Sequence, residues 1–123
     1  MSDERLLAML EEMRQEAWDT AVWIGGRIIS HGIVKEGSRY KRPEKAKTLE
    51  AAATGLATLM RGIQIAEFAA RKRGLDIPWP ERKDITGTLD VLGVTDYWSP
   101  ESFDRLTNPA DELHARALGI RLD

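Results

Sequence analysis

The sequence predicts an all-α protein: a long antiparallel helical hairpin followed by a C-terminal arm of short helices, expected to complete a helical bundle by oligomerisation. Two amphipathic stretches of similar length, a turn-rich break between them and proline punctuation after residue 74 carry that prediction. The whole is expected to be one domain of 123 residues, with the hairpin over 1–74 and the arm over 75–123.

The first helix is expected from about Asp3 to about Ser30. Leu6, Leu10, Met13, Ala17, Ala21, Ile24 and Ile28 recur at helical spacing, and Leu7, Trp18, Val22 and Ile29 widen one flank. So broad an apolar arc exceeds what one hairpin partner covers, so the helix should touch at least two neighbours. Gly25 and Gly26 fall inside it and cost roughly 1 kcal/mol each relative to alanine, which points to close approach of another backbone or a mild kink. Neither glycine has the surroundings of a phosphate-binding loop.

Gly32 to Arg42 breaks the pattern and reads as the connection, with no strand expected. The second helix is expected from Pro43 to Gly74, along an apolar seam of Leu49, Ala52, Leu56, Leu59, Ile63, Ala66 and Ala70. Pro43 suits a first helical position and Gly74 a left-handed stop, with Arg71, Lys72 and Arg73 at the negative end of the helix dipole. Packed antiparallel, the two helices make a hairpin about 40–45 Å long.

Beyond Gly74, Ile77-Pro78-Trp79-Pro80 cannot be helical. Short pieces are expected to follow, the last beginning at Asn108-Pro109 and ending before Gly119. Such pieces need cover from the rest of the chain. Ile65, Phe68 and Ala69 project from the main seam and offer a seat, with Trp79 and Trp98 as the expected covers.

Charge narrows the function classes. The net charge is −2, yet residues 1–20 carry −4 and residues 21–47 carry +5. Residues 71–83 carry +3, so the acidic start of the first helix should pair with the basic end of the second. The basic connection would then lie at the far tip without an internal partner. Lys35, Arg39, Tyr40, Lys41, Arg42, Lys45 and Lys47 are the candidate binding residues there, for a protein partner or for nucleic acid, the alternative being a solvated loop. Trp23, Trp79 and Trp98 are candidate partner contacts.

Enzymatic signals are weak. Glu12, Glu16 and Asp19 share a helix face as divalent-metal ligands do, but the second helix offers only Glu50 and Glu67, without matching spacing. His31 and His114 belong to no zinc pattern, and no serine has nucleophile surroundings. No metal and no cofactor are expected. Glu67 on the second seam and Arg14 in the first arc are read as members of a structural pair, between them or with Arg71 or Arg5, the alternative being that each snorkels to solvent.

With no cysteine, no membrane-length apolar run and an acidic start, a cytoplasmic location is expected. The function expected is that of a non-catalytic interaction protein, an adaptor or inhibitor, acting as a homo-oligomer with a protein-binding surface. The alternative is an oligomeric nucleic-acid-binding accessory protein, such as a phage-type DNA-packaging subunit using the tip. A metal-dependent hydrolase is the weakest reading.

Overall fold

A computed structural model describes residues 1–37, 39–41, 48–77 and 109–121. In chain order these form α1 (Asp3–Ser30), β1 (Val34–Glu36), β2 (Arg39–Lys41), α2 (Leu49–Lys72) and α3 (Pro109–Leu118). The chain is mostly helical, as its periodicity predicts.

Helix α1 has the bounds read from the sequence. Ser2 caps it, its Oγ accepting from the Arg5 N–H at 3.2 Å, and Asp3 and Glu4 occupy the positive first turn. Leu6, Leu10, Met13, Ala17, Ala21 and Ile24 are buried, so the expected stripe is the core face.

The three described helices all end on one device. The glycine after the helix takes positive φ, and the apolar residue after it bonds back to the last turn. Gly32 precedes Ile33, Gly74 precedes Leu75 and Gly119 precedes Ile120. Ile33 and Ile120 are buried, so each of these two stops also pins the outgoing chain to the core.

The connection contains two strands where the sequence reading expects none. β1 and β2 pair antiparallel, with Val34 opposite Lys41, Lys35 opposite Tyr40 and Glu36 opposite Arg39. Gly37 has φ +61°, the positive value that two-residue hairpin turns require at their first central position. The Gly37-Ser38 pair was the available signal; three-residue strands are too short to show a period.

Helix α2 is described from Leu49, with Thr48 preceding it; Pro43, expected to open the helix, lies outside the described residues. Its seam also differs from the expected one. Ala52 and Leu59 are only part-buried, while Ala53, Met60 and Glu67 are essentially solvent-free. The core face therefore follows Leu49, Ala53, Leu56, Met60, Ile63, Glu67 and Ala70. A purely apolar path misplaced it, because the true path tolerates a carboxylate that has partners.

Every residue from Gly62 to Glu67 is buried, so α2 is enclosed on all sides over more than one turn. α1 packs along it, and α3 covers part of the remaining surface. A Cβ on Gly62 would lie 3.2 Å from His114 Nε2 and 3.5 Å from Leu118 Cδ1, so the glycine lets α3 sit close. Ile65 and Ala69 are buried, as expected of residues needing cover. α3 supplies Ala115 to the core, with Ile120 just beyond; Trp79 and Trp98 lie outside the described residues.

Gly55 is the opposite case: exposed and in a helix interior, with nothing within 4 Å of where a Cβ would lie. Gly55→Ala should stabilise the protein by about 0.5–1 kcal/mol through helix propensity alone. Thermal unfolding should show a rise of a few degrees; a fall would mean that this face is covered in solution.

Candidate functional site

Two buried polar clusters hold the helices together. Glu67 is 0% exposed; one of its carboxylate oxygens accepts from Arg71 at 3.1 Å and has Arg14 of α1 at 3.9 Å. Two cations thus compensate one carboxylate in the α1–α2 interface. On the other side of α2, Arg61 makes a forked contact with Asp111 of α3. Its Nε donates to Oδ1 at 2.7 Å, a second bond runs to Oδ2, and Nη1 donates to Gln64 Oε1 at 2.7 Å. Asp111 and Gln64 are buried, so this fork registers α3 on α2. Both clusters are staples between helices.

A small cleft of about 290 Å³ opens between α1 and the segment after α2, lined by Leu7, Leu10, Glu11, Arg14, Asp76 and Ile77. Among the described residues, its lining contains no histidine, serine or threonine. Glu12, Glu16 and Asp19 are exposed on α1, and Asp19 accepts from the Gln15 side chain at 2.9 Å. Among the described residues, no group of three or more histidine or acidic side chains is placed to hold a metal ion.

The outer surface of α1 is the most unusual feature of the described chain. Trp18, Val22 and Ile29, expected to meet a second neighbour, remain 43%, 59% and 82% exposed. At about 100° per residue they share one stripe with Gly25, and Gly26 lies beside it. A Cβ on Gly25 or Gly26 would meet nothing within 4 Å, so the close approach these glycines suggest is not made within the described residues. Trp23 is 51% exposed on the adjoining face, its ring 5.3 Å from the Arg27 guanidinium carbon. Scattered apolar residues on a surface are ordinary; two tryptophans, a valine and an isoleucine on half of one helix form a patch.

The expected contact between the basic end of α2 and the acidic start of α1 is present. Arg73 donates to the Met1 carbonyl at 2.9 Å and to Asp3 at 3.1 Å, which brings the end of α2 to the start of α1. Arg71 turns instead to Glu67. Among the described residues, Glu4, Glu11, Glu12 and Glu16 form no ion pair, so most of the acidic block stays unneutralised there.

Of the basic tip residues, Lys35 lies in β1, and Arg39, Tyr40 and Lys41 lie in β2, where Lys41 is exposed. Arg42, Lys45 and Lys47 lie outside the described residues. The structure therefore brings four of the seven onto one ribbon. Sequence reasoning placed Trp18, Val22 and Ile29 in the core arc and so missed them as surface; only their flank position hinted at a second neighbour. Among the described residues, no helix is long and apolar enough to cross a membrane. Compared with known proteins, the chain matches no family model, no curated protein and no solved structure.

Proposed function

We propose that this protein is a non-catalytic helical interaction protein that acts as a homo-oligomer, with α1 and α2 forming an antiparallel hairpin whose bundle a second copy completes. The observation that carries this reading is the exposed stripe of Trp18, Val22 and Ile29. Burying such side chains contributes roughly 25 cal/mol per Å² of apolar surface, and a helix face supplies it in one contiguous strip. The two internal staples leave this face unused, and the acidic flank of α1 and the basic β1–β2 ribbon are opposite in sign.

A second reading assigns the ribbon to nucleic acid. Its support is the pairing of the basic segment into a two-stranded ribbon, a shape that can enter a duplex groove. One experiment weighs the two. Light scattering of the pure protein should give a multiple of the 13.8 kDa chain mass. That mass should fall to the monomer in a Trp18→Gln, Ile29→Lys double variant, in which both changes are at exposed positions. A short DNA duplex should leave the wild-type mass unchanged. A wild-type monomer would sink self-association, and a salt-sensitive gain of mass with duplex would move the function to the ribbon.

A further inference from the structure

The geometry points to a particular arrangement of that oligomer: a two-fold dimer in which α1 pairs antiparallel with α1 of a second copy, with Val22 at the axis. This inference rests on the self-association proposed above and adds its orientation and its salt dependence. A two-fold at Val22 places residue 18 of one helix against residue 26 of the other, in both directions at once. Trp18, the bulkiest residue of the stripe, then sits over the bare backbone at Gly25–Gly26, where nothing lies within 4 Å of either Cβ position. The two glycines, about 10–12 Å along the helix from Trp18, become the recess for the partner's indole. Ile29 comes opposite Gln15, whose aliphatic stem covers it. The contact is self-complementary and closes, so it yields a dimer rather than a fibre.

Charge selects the same orientation. In the antiparallel pairing, the end of one α1 comes opposite residue 14 of the other, so the segment that follows it lies toward the other's acidic first turns. That segment carries Lys35, Arg39 and Lys41 against Glu36, a net +2. It would meet Glu4 and Glu11, both exposed and in no ion pair with a described residue. A parallel pairing would set acidic block against acidic block and ribbon against ribbon, which repel. A consequence follows for the ribbon: its positive charge is answered by the second copy's acids, and it is not free for polyanions while the dimer holds.

The chain has no cysteine, so single introduced cysteines report the arrangement without background. Val22→Cys should oxidise to a covalent dimer, because its two copies face each other at the axis. Ile29→Cys should not cross-link with itself, since its copies lie on the order of 20 Å apart along the pair. A mixture of Gln15→Cys and Ile29→Cys chains should cross-link. Dimerisation should weaken as salt rises, and should weaken at low salt in a Glu4→Lys, Glu11→Lys variant. Adding Lys35→Glu and Lys41→Glu to that chain should restore it.

Self-cross-linking of Ile29→Cys as ready as that of Val22→Cys overturns the antiparallel pairing. An oligomer by light scattering in which neither Val22→Cys nor the mixture cross-links overturns this interface and leaves self-association standing. A monomer at every concentration overturns both. Tight duplex binding by the cross-linked Val22→Cys dimer overturns the charge pairing and assigns the ribbon to nucleic acid.

Discussion

Replacing Arg14 and Arg71 together by methionine is expected to lower the unfolding free energy by about 3–5 kcal/mol, the cost of stranding a buried charge. Glu67 is 0% exposed, and these two guanidinium groups pair with it at 3.9 and 3.1 Å. Methionine keeps much of each aliphatic stem, so the loss reports charge compensation more than packing. Against a total stability of about 5–15 kcal/mol, the loss would leave many molecules near their unfolding midpoint. The converse change, Glu67→Met, should cost less, because it removes the fully buried charge and leaves arginine side chains that are 23% and 30% exposed. Urea denaturation of the two variants checks both statements. Equal losses would mean that the site matters for packing volume and not for charge.

Asp111→Ala should cost about 2–4 kcal/mol, and the loss should fall on one part of the molecule. Asp111 is 4% exposed and receives both arms of Arg61, which also donates to Gln64. Without the carboxylate, a part-buried guanidinium loses its counter-charge and α3 loses its register. A helix of 10 residues cannot hold itself together, so α3 should undock and uncover Gly62. Amide hydrogen exchange should accelerate over 111–120 while the amides of Leu10 to Ile24 stay protected. Uniform acceleration across the chain would show that α3 is part of the single cooperative core.

The two clusters differ in how far the sequence announces them. Glu67 stands out as an acid on an apolar seam, and Arg14 as a base in an apolar arc, so their pairing is a reasonable expectation. Asp111 and Arg61 look like ordinary surface residues. They lie 50 positions apart, and only the docking of α3 buries them together.

The helix ends and the core face of α1 follow from local chemistry: Ser2 as a cap, helical spacing from Leu6 to Ile24, and glycine-plus-apolar stops at Gly32, Gly74 and Gly119. These are short-range effects, written within one or two turns of the residues concerned, and the sequence by itself determined them. Which face of α2 is central, and which flank of α1 stays bare, was decided only by tertiary structure. An amphipathic pattern states how much apolar surface a helix carries and not which neighbour covers each strip of it. Met60 displaced Leu59 from the seam and Trp18 was left in solvent because α2 can lie against only one side of α1. The side it took is the one where Arg14 and Arg71 could neutralise a buried Glu67.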